Sequence, residues 1–329
     1  MHILICNHSP VPVFAYGGTE RVIWDLAKGL VSKGHQVSFL VPDNSHCPFA
    51  RILPLNRRKP LKDQIPDDVD LVHFHFNPGP AFECDKPWLM TQHGNSIPDE
   101  FLPTNTVFVS ANHAQRHGAQ CHVYNGLDWT AYSPVDLRAE RRHFHFLGKA
   151  AWRVKNVQGA IDVAKQAHVP LVVMGGKRLN LKRGFRFTWS RNITFLGMVG
   201  GDIKFSTLQH SKGLVFPVRW HEPFGLAVIE SLYFGSPVFC TPYGALPEIV
   251  SSECGFLSDG LTELSEAIQH MQFDPRACHQ RAVELFNAEL MTNRYLAVYE
   301  RIMSQELLNN AQPMMQEPFV RLAWRRDAS

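Results

Sequence analysis

Hydrophobic and polar positions along the chain alternate between two patterns, short continuous apolar runs and longer stretches with apolar residues at helical spacing. Residues 2–6 form an apolar run of the kind expected for a strand buried on both faces. After the pair Gly17-Gly18, the residues Val22, Ile23, Leu26, Ala27 and Leu30 recur at helical spacing, and Gly34 stands where a helix would stop. Gln36–Val41 reads as the next strand, and Asp70–Phe76, Pro87–Thr91, Thr106–Ser110 and Cys121–Tyr124 repeat the short apolar pattern up to Asn125-Gly126. The stretch 133–142 is polar and interrupted, and the predicted domain boundary lies there. The pattern then restarts. Strands are predicted at His143–Leu147, Leu171–Met174, Ile193–Leu196, Leu214–Phe216 and Pro237–Cys240, and helices at 156–167, 202–210 and 224–234. Residues 260–307 are helical by pattern.

Strands that alternate with helices imply parallel sheets with right-handed crossovers. The expectation is an α/β protein with two Rossmann-like domains facing a cleft. The first domain spans residues 1–138 and is completed by a C-terminal helix at about 290–307. The second spans 139–289, and 308–329 form a tail. The length of 329 residues agrees with two domains.

Composition narrows the class. The chain is 45% hydrophobic and 19% charged, which suits a soluble globular protein with two cores. A net charge of +3 gives no electrostatic case for nucleic acid. Seven scattered cysteines without a CxxC pair read as reduced core thiols of a cytoplasmic enzyme. The first strand is too short and uncharged to serve as a secretory signal, and no run reaches the roughly 18 apolar residues of a membrane helix. Any membrane contact is expected to be peripheral, at the inner face.

Four segments carry candidate chemistry. The first is Trp220-His221-Glu222-Pro223-Phe224-Gly225-Leu226-Ala227-Val228-Ile229-Glu230. A helix predicted to begin near Phe224 would offer its first N–H groups, at Phe224, Gly225 and Leu226, to anionic oxygens. Glu222 stands at that mouth and Glu230 further along the helix, so that two carboxylates flank a diphosphate site. The bland alternative for a bare E-x7-E is a capped helix with solvated glutamates; the Pro-Phe-Gly insert and the strand–loop–helix context weigh against it. The second segment, Phe146-Leu147-Gly148-Lys149-Ala150-Ala151-Trp152-Arg153-Val154-Lys155-Asn156, follows a strand and brings cations to a leaving diphosphate. The third is Tyr16-Gly17-Gly18-Thr19-Glu20-Arg21, where adjacent glycines allow backbone to approach a ligand. The fourth is Thr91-Gln92-His93-Gly94-Asn95, directly after a strand. No G-x-G-x-x-G is present, which argues against a dinucleotide oxidoreductase.

These segments, in this order over roughly residues 1–305, resemble the retaining family 4 glycosyltransferases of the GT-B fold. The resemblance implies that Glu222 contacts the donor sugar, that Glu230 contacts the nucleotide ribose and that the Phe224–Leu226 amides hold the phosphates. It implies donor binding also by Gly17, Gly18, Lys149, Arg153, Lys155 and Gly244, the last in the loop Thr241-Pro242-Tyr243-Gly244-Ala245-Leu246-Pro247-Glu248. Glu222, Lys155 and His93 are its candidates at the reacting centre. The family usually has an arginine where Lys149 stands. Lysine is a point charge without a bidentate fork, so Lys149 or Arg153 takes that role. The implied activity is metal-independent transfer of a hexose from a nucleotide diphosphate sugar, a UDP-sugar by family frequency, to an acceptor held by the first domain. No cofactor is expected. The alternatives are a GT-B nucleotide-sugar epimerase and a noncatalytic carbohydrate- or partner-binding protein that keeps the cleft.

Other features are set aside. Asp68-Val69-Asp70 spells D-x-D but precedes its strand, where a metal-holding pair should follow one. His73 and His75 read as packed histidines. Arg57-Arg58-Lys59 and the basic stretch Lys177–Arg191, with Lys182, Arg183 and Arg186, read as solvated loop charge, with attraction to anionic lipid or a phosphorylated acceptor as the alternative. The tail Phe319–Arg326, aromatic and basic, reads as a disordered or docked terminus, with a membrane surface as the alternative.

Overall fold

The structure, a computed structural model, describes residues 1–12, 17–180, 186–317 and 320–326. Tyr16, Lys182, Arg183 and Phe319, named above, lie outside the described residues, as does the side chain of Arg186. The chain forms two compact units. One takes in the N-terminal strand, Gly17–Trp129 and the segment beginning at Phe286; the other takes in Thr130–Leu285 and the segment beginning at Val320.

The first unit holds β1 (His2–Cys6), β2 (Gln36–Val41), β3 (Arg51–Pro54), β4 (Leu71–Phe74), β5 (Trp88–Gln92) and β6 (Thr106–Phe108), in the order β3-β2-β1-β4-β5-β6. All pairings are parallel, with Ile3 beside Val37 on one side and Leu71 on the other. Every residue of β1 is buried, as the continuous apolar run requires. Helix α1 (Gly18–Ser32) buries Val22, Ile23, Leu26, Ala27 and Leu30, and Gly34 takes a positive φ of 83° just beyond its end. Helix α2 (Ala111–Gln115) is capped by the Ser110 side chain, which accepts from the His113 amide.

The second unit repeats the plan. Its strands are β7 (His143–Leu147), β8 (Leu171–Met174), a two-stranded hairpin of β9 (Leu179–Asn180) and β10 (Arg186–Phe187), then β11 (Ile193–Gly197), β12 (Ser211–Phe216), β13 (Val238–Cys240) and β14 (Gly255–Leu257). The sheet order is β11-β8-β7-β12-β13-β14. Its helices are α3 (Val157–Gln166), α4 (Gly201–Gln209), α5 (Leu226–Tyr233), α6 (Leu246–Ile249), α7 (Leu261–His270) and α8 (Pro275–Leu285). Helix α9 (Ala288–Met303) belongs to the first unit, where it packs on α1 so closely that a Cβ at Gly29 would lie 2.2 Å from Thr292 Oγ1.

Both sheets therefore have the doubly wound order in which strand sequence reverses beside the first strand, between β1 and β4 and between β7 and β12. Ligands of such sheets bind beyond the carboxyl ends of the strands at that reversal.

Some expectations are corrected. Cys121–Tyr124 is not a strand but a single bridge between Phe108 and His122: it bonds to the edge strand only at Phe108, through the Cys121 carbonyl and the Val123 amide, while Asn309 Oδ1 accepts from the Gln120 and Cys121 amides. Helix α5 starts at Leu226, two residues later than predicted, since Gly225 adopts φ 101° and no right-handed turn can pass through it. Apart from these corrections, the tail is docked over its described residues, one of the two courses expected for it. Leu322 exchanges backbone and side-chain hydrogen bonds with Arg219, Trp324 is 9% exposed, Arg325 pairs with Asp259 and Glu263, and Arg326 pairs with Asp162. Trp324 is thereby buried, while Arg325 and Arg326 stay at the surface as ion-paired side chains.

Candidate active site

In the second unit, the loop after β7 and the loop after β12 meet at the sheet's reversal point. The Arg219 amide donates to the Val154 carbonyl at 2.7 Å, and Asn156, in a left-handed conformation with φ 51°, donates from Nδ2 to the Pro217 carbonyl at 2.8 Å. The same Asn156 caps α3 by accepting from the Gly159 amide. One residue thus starts a helix and pins one loop to the other.

This pinning delivers Lys155 to Glu222. The ammonium Nζ lies 2.6 Å from Glu222 Oε2, and the same oxygen accepts from Trp220 Nε1 at 2.7 Å. Glu222 is 6% exposed. Lys155 also lies over the Trp220 ring, 4.8 Å from its centroid, and over the Phe216 ring at 5.1 Å. Trp152 packs edge-on against Trp220, and Lys149 lies over Trp152 at 5.1 Å. Arg153 opens the single turn Arg153–Lys155 and is exposed.

Gly244 explains how the Glu222 backbone is held. The two residues form a parallel bridge, and the Ala245 amide donates to the Glu222 carbonyl at 2.9 Å. Gly244 has φ 68°, and a Cβ there would lie 2.3 Å from the Glu222 carbonyl oxygen. Only glycine fits. Gly225, the cap of α5, sits with its Cβ position 3.4 Å from Glu222 Cγ. Beyond it the first-turn amides of α5, at Leu226 and Ala227, have no carbonyl a turn earlier in the helix, and Leu226 is the one residue of the expected Phe224–Leu226 set that lies within α5. Phe224 itself is buried.

Glu230, the fifth residue of α5, is 2% exposed. Its Oε1 accepts from Lys204 Nζ at 2.5 Å and from the Tyr132 hydroxyl at 2.7 Å. Neither Lys204 nor Tyr132 was singled out from sequence. A lysine inside a short polar helix carries no mark of burial, yet Lys204 is 8% exposed.

The remaining candidates lie in the first unit. Gly17 and Gly18 open α1 after β1, and Gly17 is the cap residue at φ 168°. His93 follows β5, and its Nε2 is 2.8 Å from His75 Nδ1. Burial lowers the His93 pKa to about 4, so the imidazole is neutral at pH 7. His73 is a packed histidine, 2.8 Å from the Tyr299 hydroxyl and 2.7 Å from Thr91 Oγ1, while its neighbour His75 is the direct partner of His93. Asp70 accepts from the His2 amide and Asp68 lies near Arg51, both before β4. Among the described residues no three His, Cys, Asp or Glu side chains gather as a metal site. No helix among them is long and apolar enough to cross a membrane.

Comparison with known proteins agrees with this geometry. Residues 141–273 match the family described as Glycosyl transferases group 1. The chain is similar to the O-antigen chain mannosyltransferase C of Escherichia coli, with 22% identity over 358 aligned positions that take in 88% of this chain and 96% of that protein. Among solved structures it is similar to AviGT4, a glycosyltransferase involved in avilamycin A biosynthesis. There the TM-score is 0.74 and the identity 21%, covering 92% of this chain and 98% of that one. It is also similar to Anabaena HepE in complex with UDP-glucose, with a TM-score of 0.66 and 18% identity, covering 92% of this chain and 100% of that one.

The fold is GT-B, with two Rossmann-like parallel-sheet domains and C-terminal helices, and the protein is a glycosyltransferase. The residues of the second unit that match the group 1 family, 141–273, include the Glu222–Glu230 segment.

Proposed function

We propose that the chain transfers a hexose from a UDP-sugar to a glycan acceptor with retention of anomeric configuration and without a metal. The observation that carries this reading is the contact of Lys155 with Glu222 beside the start of α5. It places a fixed cation, a carboxylate and a helix N-terminus at one sheet-reversal point, the set that a diphosphate joined to a polyhydroxyl sugar requires. Similar proteins support the substrate class: HepE has been crystallised in complex with UDP-glucose, and the Escherichia coli relative is an O-antigen chain mannosyltransferase.

In this reading the second domain holds the donor and the first the acceptor. Glu222 orients the donor sugar through its hydroxyls, and Glu230 binds the ribose. As the bond from the anomeric carbon to the phosphate oxygen breaks, Lys155, Lys149 or Arg153, and the α5 amides stabilise the leaving diphosphate. Gly17 and Gly18 bring backbone to the donor phosphate or sugar. His93, neutral, hydrogen-bonds a donor hydroxyl or the acceptor and adds no positive charge of its own. The acceptor hydroxyl oxygen takes the place of the diphosphate on the anomeric carbon, and its proton passes to the departing diphosphate oxygen. The enzyme acts in the cytoplasm, with weak peripheral contact at the inner face of the membrane.

A turnover assay with UDP-, GDP- and ADP-hexoses, run with and without glycan, lipid-linked glycan and small-molecule acceptors, tests the proposal. Acceptor-dependent release of UDP with an α-linked product from an α-linked donor supports it. A changed sugar released without acceptor would instead make the protein an epimerase, and binding without turnover a noncatalytic carbohydrate-binding protein.

A further inference from the structure

Lysine is among the side chains least often buried, and a buried ion pair gives little net stability because desolvation offsets the attraction. The pair formed by Lys204 and Glu230 is therefore costly for a surface helix such as α4 to maintain. Glu230 is 2% and Lys204 8% exposed, and the two meet at 2.5 Å. The Tyr132 hydroxyl donates to the same Glu230 oxygen at 2.7 Å, and Lys204 lies over the rings of Tyr132 and Phe205 at 5.6 Å and 5.4 Å. Tyr132 is in turn packed on Phe205 and Tyr233. One carboxylate oxygen is thus fixed by two donors that are themselves fixed by aromatic packing.

The arrangement parallels the other glutamate of the segment. Glu222 has Lys155 and Trp220; Glu230 has Lys204 and Tyr132. Each carboxylate has its own ammonium and its own neutral donor. A diphosphate entering this site then meets two neutralised pairs rather than two bare negative charges.

We infer that Lys204 is a positioning residue for nucleotide recognition: it neutralises Glu230 and fixes its carboxylate so that the carboxylate can accept from ribose hydroxyls. The inference rests on the reading of Glu230 as the ribose ligand, and the experiment separates the two. UDP and GDP are titrated calorimetrically against their 2′-deoxy and 3′-deoxy forms with wild type, Lys204→Met, Glu230→Gln and the double variant, each first checked for a cooperative thermal transition. Wild type is expected to prefer at least one ribonucleotide over its deoxy form by about tenfold or more, the scale of a hydrogen bond to a charged group. Lys204→Met should bind both forms within about twofold of each other. In the Glu230→Gln background, with no charge left to neutralise, adding Lys204→Met should change affinity by less than about twofold.

A Lys204→Met variant that keeps the full wild-type preference overturns the inference. So does an equal loss for ribo- and deoxynucleotides, which would place Lys204 on the phosphates. Wild type without any ribose preference would instead remove the underlying role of Glu230. Should the single variant fail to fold, the comparison of Glu230→Gln with the double variant decides: a large further loss of affinity counts against the inference.

Discussion

Lys155 and Glu222 stand 67 residues apart in the chain and 2.6 Å apart in space, both largely withdrawn from solvent. In the proposed reading the carboxylate holds the cation that the leaving diphosphate needs. Removing either partner of a buried pair leaves the other unpaired, at about 3–5 kcal/mol. The two variants should nevertheless differ in function. In Glu222→Ala the cation is released toward the diphosphate, so UDP binding should be unchanged or tighter while transfer is lost. In Lys155→Met both transfer and UDP binding should fall, with kcat down about 100- to 1,000-fold, the effect of deleting one preorganised donor at developing charge. Calorimetry beside a product assay distinguishes the two patterns, and full transfer by Glu222→Ala would remove the site assignment.

Gly244 allows strain to be separated from function. It has φ 68° and nearly touches the Glu222 backbone, whereas Gly34 has φ 83° and nothing within 4 Å of its Cβ position. Alanine at either position carries the left-handed penalty of about 1–2 kcal/mol. Only at 244 must the neighbouring backbone move, and that backbone carries Glu222. Both Gly34→Ala and Gly244→Ala should lower the melting temperature by several degrees, on the scale of about 2–4 °C per kcal/mol for a chain of roughly this size. Gly244→Ala should also lose at least about tenfold in kcat, while Gly34→Ala keeps it. Equal activities in the two variants would mean that the close approach to Glu222 has no role in catalysis.

Fixed cations around the diphosphate site make a further expectation specific. Lys155, Lys149 and Arg153 sit on one loop ending in α3, and charge on the leaving group can be met by them and by the α5 amides. Transfer should persist at its full rate in excess EDTA and should not rise on adding Mg²⁺ or Mn²⁺. A rate that collapses with EDTA and returns with one of these ions would require a different mechanism.

How much of this was legible depended on whether the signal lies in residue order or in three dimensions. The strands β1, β2, β7 and β8 are central or near-central, buried on both sides, and their apolar runs state that directly. The edge strands β3 and β14 are three or four residues long with mixed burial, so no periodicity marks them. Glu222, Glu230 and Lys155 stood out because a spaced motif and a resemblance named them. Lys204 did not, because its partner Glu230 is 26 residues away and its burial comes from Tyr132 and Phe205 folding over it. The start of α5 lies two residues beyond the expected one because a proline suggests a helix start, while the positive φ of Gly225 is a backbone conformation that residue order does not announce. His75 read as packing alone; only the pairing of β4 with β5 brings it beside His93.

The histidines make stability depend on pH in a defined direction. Burial lowers His73 to about 3, His93 to about 4 and His145 to about 3, and lowers His75 and His113 well below the ordinary imidazole value. In the unfolded chain each would titrate near 6.5. Between the folded and unfolded values the unfolded state binds more protons, so stability rises with pH through that window. The contribution is fully present above about 6.5 and is lost as pH falls toward 4 and 3. Asp25 acts in the opposite sense: burial raises it to about 6, so its contribution is present at low pH and lost as pH rises from about 4 through 6. Five lowered histidines outweigh one raised carboxyl, each fully linked histidine giving about 1.4 kcal/mol per pH unit. The urea midpoint should therefore fall steadily from pH 7 to pH 5, and His145→Asn, if it keeps the bonds to Ser211 and Ser231, should make that fall shallower. A midpoint that stays level or climbs over this range would mean that these imidazoles are charged in the folded protein, and His93 could then no longer be the neutral group the site requires.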